Sequence, residues 1–183
     1  YVGDNIALFA AHYIAKPPED GQPVLWHQDG SYWPLEPMEV VSLWLAVDDS
    51  TPENGCMRVI PGIKTRDYFE HEPGGNNTGP RIKPQLMPER KPCIAECPKG
   101  GVIFMSKYTP HSSSDNMADT VRWSLDLRYQ PTGEPTGRPF WPSFITHSKA
   151  DPMSIHRDYE DWKFQWDEAM EKVAGMNVKW HRA

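Results

Sequence analysis

At 183 residues, with 19 lysines and arginines against 25 aspartates and glutamates and a formal net charge of −6, the chain is sized for one domain spanning 1–183 and lacks the basic balance of a nucleic-acid binder. No apolar run approaches the roughly 18 residues that cross a bilayer, and neither a signal peptide nor a membrane partner is expected. Three cysteines, Cys56, Cys93 and Cys97, are an odd number that argues against a disulfide framework and for a soluble protein in a reducing, cytoplasmic setting.

Nineteen prolines and 13 glycines break the apolar runs into short pieces, the pattern of strands joined by turns rather than of long helices. The chain opens at Tyr1 and enters almost at once the run Ile6-Ala7-Leu8-Phe9-Ala10, and we expect an N-terminal segment to be missing from it. Strands are predicted over Ile6 to Ala15, Leu25 to Asp29, Val40 to Val47, Cys56 to Ile60, Gly101 to Met105 and Val121 to Gln130. Asn54-Gly55 predicts a tight turn reversing the third of these into the fourth. Residues 64 to 92, polar and rich in proline and glycine around Gly74-Gly75-Asn76-Asn77, read as a long insertion of the kind that forms lids and binding loops. Asn76-Asn77-Thr78 matches the glycosylation acceptor pattern, which means little without a secretory context. Cys93 and Cys97 have no second ligand pair at suitable spacing, so a zinc knuckle is not expected. In the tail, Tyr159, Trp162, Trp166, Met170 and Val173 recur at helical spacing behind a capping Asp158, which predicts an amphipathic helix on the outside of the sheet.

The chemistry-bearing pattern is His27 and Asp29 in Trp26-His27-Gln28-Asp29-Gly30, His111 in Tyr108-Thr109-Pro110-His111, and Arg122 eleven residues further on. Side chains at i and i+2 of an extended segment share a face, so His27 and Asp29 can grip one ion while Gln28 turns away. His111 is the candidate third ligand. Two imidazoles and one carboxylate on one face of an octahedral ion leave the other positions open, the set typical of non-haem iron(II) oxygenases. Zinc is more usually closed by a fourth protein ligand or keeps a single open position. Short antiparallel strands allow a sandwich or a jelly roll, and the ligand set favours the jelly roll of cupins. On the last predicted strand, Arg122, Ser124, Asp126 and Arg128 share one face and Val121, Trp123, Leu125, Leu127 and Tyr129 the other. A charged face is most often turned to solvent. Here His111 lies just upstream across a short turn, so Arg122 is expected to return beside the metal on an adjacent antiparallel strand, with the polar face inside.

The motifs resemble the phytanoyl-CoA dioxygenase family of Fe(II)/2-oxoglutarate oxygenases. The resemblance runs in order through Ile14-Ala15-Lys16-Pro17-Pro18, His27-Gln28-Asp29-Gly30-Ser31-Tyr32-Trp33-Pro34, Val41 to Asp49, Glu53 to Gly62, His111-Ser112-Ser113-Ser114-Asp115-Asn116 and Arg122. It implies a double-stranded β-helix core, Fe(II) held by His27, Asp29 and His111, and 2-oxoglutarate and O2 as cosubstrates with ascorbate as a supporting reductant. Arg122 then takes the distal carboxylate of 2-oxoglutarate, because a planar guanidinium presents two parallel donors where a lysine would not. Ser113, Gln28, Trp44 and His12 fall at positions that line the cosubstrate pocket in relatives. Trp44 is equally well a core residue, and a histidine such as His12 is more often simply a satisfied one. Asn116 is expected to order the loop after His111. Ser112 replaces the family's usual glycine after the distal histidine.

The implied reaction is hydroxylation of an unactivated C–H bond of a small organic substrate, with 2-oxoglutarate decarboxylated to succinate and CO2. The retained Asp29 disfavours halogenation, since halogenating relatives carry a small residue there. Rival readings are a catalytically silent metal-binding jelly roll, a zinc-dependent cupin-type hydrolase or isomerase, which would not need Arg122, and a structural β-sandwich. Tyr32, Trp33 and the loop from Lys64 to Pro92 are candidates for shaping a substrate pocket, although aromatic residues beside a core strand are more often packing. The substrate and the oligomeric state are not legible.

Overall fold

A computed structural model describes residues 2–19, 21–31, 33–63, 67–75, 79–138 and 140–176. Among these, the strands in chain order are β1 (Asn5–Lys16), β2 (Val24–His27), β3 (Val41–Ala46), β4 (Met57–Val59), β5 (His71–Pro73), β6 (Pro80–Ile82), β7 (Cys93–Ala95), β8 (Val102–Ser106), β9 (His111–Ser113), β10 (Arg122–Pro131) and β11 (Phe144–Ser148), followed by helix α1 (Tyr159–Val173). A five-stranded sheet has the order β11-β1-β10-β3-β8, a four-stranded sheet the order β2-β9-β4-β7, and β5 pairs with β6 alone. The protein is therefore mainly β, with two antiparallel sheets and one C-terminal helix, as its punctuated sequence predicts.

The chain divides into two compact units, Tyr1–Ala11 with Tyr32–Ser42 and Leu127–Ala183, and His12–Ser31 with Leu43–Asp126. The division falls within β1, β3 and β10. In the first unit β11 pairs antiparallel with the start of β1, Asn5 opposite Ser148 and Leu8 opposite Phe144, with a bulge between Ile6 and Ala7. Trp33 is buried, meets Phe9 edge-on at 6.1 Å and carries the Arg128 guanidinium over its ring, so it is packing. Asp158 caps α1 by accepting from the Glu160 amide at 2.9 Å. The inward stripe of the helix is Trp162, Trp166, Ala169 and Val173, spaced i, i+4, i+7, i+11. Trp162 packs edge-on against Phe144 at 5.3 Å and Trp166 against Trp141 at 4.9 Å. Tyr159 and Met170, expected on this stripe, flank it and are exposed.

In the second unit the four-stranded sheet is antiparallel throughout, with Val59 and His27 both opposite His111, and Met57 opposite Ser113 on one side and Ala95 on the other. Trp44, Ala46, Met57, Cys97 and Met105 form its buried apolar cluster. Three expectations change here. The strand predicted to Asp29 stops at His27, and Asp29–Ser31 forms a 3-10 turn, because the amide and hydroxyl of Ser31 both close onto the Gln28 carbonyl, at 3.0 and 2.8 Å. Asn54-Gly55 does turn, with Gly55 at φ +74° and Asn54 bonded to Thr51 and Asp49. Its flanking strands, however, lie in different sheets, so it is a crossover rather than a hairpin. The 64–92 insertion is partly built: it contains the β5–β6 hairpin and a short 3-10 turn at Pro84–Leu86. Tyr32, Lys64 to Arg66 and the Asn76-Asn77-Thr78 pattern lie outside the described residues.

Candidate metal centre and carboxylate site

Register builds the centre. His27 ends β2 and is the cross-strand partner of His111 at the start of β9, so the two imidazoles lie side by side with ring centres 4.1 Å apart. Each ring is held from behind: Nδ1 of His27 donates to the Leu25 carbonyl at 2.7 Å and Nδ1 of His111 to the Thr109 carbonyl at 3.0 Å. With the proton on Nδ1, the Nε2 lone pair of each is the one presented to a ligand. The 3-10 turn then brings the Asp29 carboxylate round to 3.4 Å from Nε2 of His27 and 3.6 Å from Nε2 of His111. All three residues are buried, and their donor atoms lie within 4.8 Å of one another. Two imidazole nitrogens and a carboxylate oxygen gathered this closely are the donor set a divalent transition-metal ion would use.

Arg122 begins β10 and is 3% exposed. Parity marks the burial of Arg122, Ser124 and Arg128 and the exposure of Trp123, whereas Asp126 of the same face and Leu125, Leu127 and Tyr129 of the other are all half-buried. The expected pairing of this strand with that of His111 is not found, since β9 lies between β2 and β4 whereas β10 lies between β1 and β3. Arg122 thus comes from the other sheet, not from the strand beside His111. Its guanidinium sits 5.4 Å above the Trp44 ring centre. Its Nε and Nη1 are buried with no hydrogen-bond partner, as are the hydroxyls of Ser112, Ser113 and Ser124. Burial pushes the Arg122 pKa down. Lys16 lies nearby, its ammonium donating to the Gln22 carbonyl at 2.9 Å and to the Ser114 carbonyl. Burial first and the Arg122 charge second lower its pKa to about 8. Buried unpartnered donors and two neighbouring cations, whose desolvation outweighs the pull of Asp126, Asp48 and Asp115, suit an anionic ligand.

The remaining expectations separate. Ser113 faces the same side as His111, two residues on. Trp44 is buried beneath Arg122. His12 is exposed on β1. Asn116 is fully buried and orders its loop by donating to the carbonyls of Lys16 and Thr120, both at 2.8 Å. Gln28 is fully buried with its amide bonded to the Tyr108 carbonyl and the Phe69 amide, both at 2.8 Å.

Ser124, placed by parity on the inward face with Arg122, is fully buried. Sequence reasoning missed Tyr68 and His71, which nothing local marks. Tyr68 fills the space beside Gly30, its Cε1 lying 2.8 Å from where a Cβ would stand. His71 accepts the Gln28 amide on Nε2 at 3.3 Å and donates from Nδ1 to the Phe69 carbonyl at 2.7 Å. Burial pushes its pKa below the ordinary histidine value, in keeping with this neutral form.

The fold is that of the double-stranded β-helix of non-haem oxygenases, which are its structural neighbours. A non-haem monooxygenase, ThoJ in its apo form, superposes on 94% of this chain and 68% of its own with a TM-score of 0.72 at 19% identity. The non-haem α-ketoglutarate-dependent carbocyclase SnoK from nogalamycin biosynthesis does so on 70% of this chain and 51% of its own, with a TM-score of 0.58 at 23% identity. Within that class, the chain belongs to the phytanoyl-CoA dioxygenase (PhyH) family, whose sequence model matches residues 4–124. It is 30% identical over 131 residues to the phytanoyl-CoA dioxygenase domain-containing protein 1 homolog of Dictyostelium discoideum, covering 68% of this chain and 47% of that relative. The chain spans about half the length of such relatives.

Proposed function

We propose that the protein is an Fe(II)- and 2-oxoglutarate-dependent oxygenase that hydroxylates an unactivated C–H bond of a small organic substrate. The observation that carries this reading is the joint presence of three buried, convergent donors and a buried guanidinium with two unpartnered N–H groups. The donor set fits the metal: two neutral imidazoles and one carboxylate supply a single negative charge, leaving a divalent ion one net positive charge toward an anionic cosubstrate. Bound there, iron with 2-oxoglutarate and O2 supplies an oxidation that no side chain performs, R–H becoming R–OH as 2-oxoglutarate and O2 become succinate and CO2.

The chain's own residues bind and orient. His27, Asp29 and His111 would hold the ion, which would bring cosubstrate and substrate together there. Arg122 takes the distal carboxylate through Nε and Nη1, and the Trp44 ring beneath it fixes the guanidinium plane. Ser113 adds a hydroxyl donor. Burial of all these groups excludes water and strengthens each charge interaction.

Succinate formation under air with added Fe(II), ascorbate and 2-oxoglutarate tests the proposal. His27→Ala and Asp29→Ala are expected to abolish iron binding, whereas Arg122→Ala spares iron and weakens 2-oxoglutarate. Absence of both Fe(II) and 2-oxoglutarate binding would return the protein to a silent jelly roll, and metal-dependent turnover indifferent to Arg122 would favour a zinc-type hydrolase or isomerase. Mass spectrometry for a gain of one oxygen across a substrate panel identifies the molecule oxidised.

A further inference from the structure

Gln28 stands between two candidate ligands and touches neither segment's chemistry directly, yet three stretches of backbone converge on it. Its Nε2 donates to the carbonyl of Tyr108, three residues before His111, and its Oε1 accepts the amide of Phe69, each at 2.8 Å. Its backbone amide donates to His71. Next to it, the Gly30 amide donates to the Lys107 carbonyl at 3.1 Å, and Gly30 leaves room for the Tyr68 ring, which also lies against Tyr108 with centres 5.0 Å apart. The turn carrying His27 and Asp29, the approach to His111 and residues 67–71 are thus tied at one fully buried amide. Loss of that amide leaves the Tyr108 carbonyl and the Phe69 N–H unpaired inside the protein, and their relief requires the segments to part.

We propose that Gln28 is a positioning residue for the metal centre, setting the spacing of the His27–Asp29 turn from His111 and coupling it to residues 67–71, rather than a group that touches the cosubstrate. This rests on the metal reading above. Partners just outside the ligand set typically hold ten- to hundredfold of metal affinity. A residue needed only for folding would lower stability and leave the bound metal's geometry alone.

The test uses Co(II), whose d–d absorption reports ligand geometry, with hydrogen exchange of peptides covering 67–71. In the wild-type protein Co(II) is expected to slow exchange of that segment, although none of its residues is a proposed ligand. Gln28→Met and the milder Gln28→Glu are expected to weaken Co(II) at least about tenfold, alter the d–d bands and abolish the coupling. Ile82→Val, a buried change in β6, is expected to lower stability and keep the wild-type spectrum. Wild-type exchange over 67–71 that ignores bound Co(II), or Gln28 variants with wild-type affinity and bands, overturns the positioning role alone. A wild-type protein that binds no Co(II) overturns the metal reading with it. The wild-type exchange measurement decides the matter even where a variant does not fold.

Discussion

At the scale of single residues, Arg122 places function against stability. A buried guanidinium with two unpartnered donors bears a desolvation cost that outweighs the attraction of Asp126 and Asp48 and holds its pKa down, and an apolar residue of similar size relieves it. Arg122→Leu is therefore expected to raise the melting temperature of the ligand-free protein while weakening 2-oxoglutarate by about 2–5 kcal/mol; calorimetry of both forms measures the two effects together. Lys16 gives a pH signature. Its folded pKa, about 8, lies below the ordinary 10.5, so between those values the unfolded chain binds more protons and stability rises with pH. Denaturant unfolding at steps from pH 7.5 to 10.5 is expected to show the wild type gaining on Lys16→Met across that window, and parallel curves would disprove the assignment.

At the scale of elements, period and partner are different kinds of information. Period two along β10 marked the burial of Arg122, Ser124 and Arg128, and the 3.6-residue period marked α1 and its Asp158 cap. The tail's apolar residues span a stripe wider than the one buried, so spacing alone did not separate Ala169 and Val173 from Tyr159 and Met170. Ala169, 1% exposed, is the discriminating position. Ala169→Glu is expected to cost about 3 kcal/mol and shift tryptophan emission to the red as Trp162 and Trp166 open to water, whereas Met170→Lys stays within about 0.5 kcal/mol. Strands β5, β6, β7 and β9 have three residues each, too few for alternation to mark them, and none is among the predicted strands.

For the whole molecule, a ligand that binds only the folded chain stabilises it by mass action. Fe(II) at a hundredfold excess over its dissociation constant contributes about 2.7 kcal/mol, or roughly 5–10 °C in Tm for a chain of this length. Anaerobic thermal melts are expected to show that rise for the wild type and none for His27→Ala. The amino-acid sequence by itself determined the reactive groups and their order, His27, Asp29, His111 and Arg122, together with the mainly β class and the terminal helix, because residue type, turn chemistry and periodicity are local properties. Tertiary structure alone decided that His27 and His111 are register partners, that a 3-10 turn rather than strand parity delivers Asp29, that Arg122 arrives from the other sheet, and that Gln28 binds Phe69 and Tyr108. Those relations join residues up to about a hundred positions apart. They depend on which strand edges pair and which buried polar groups find partners, and no local pattern encodes that choice.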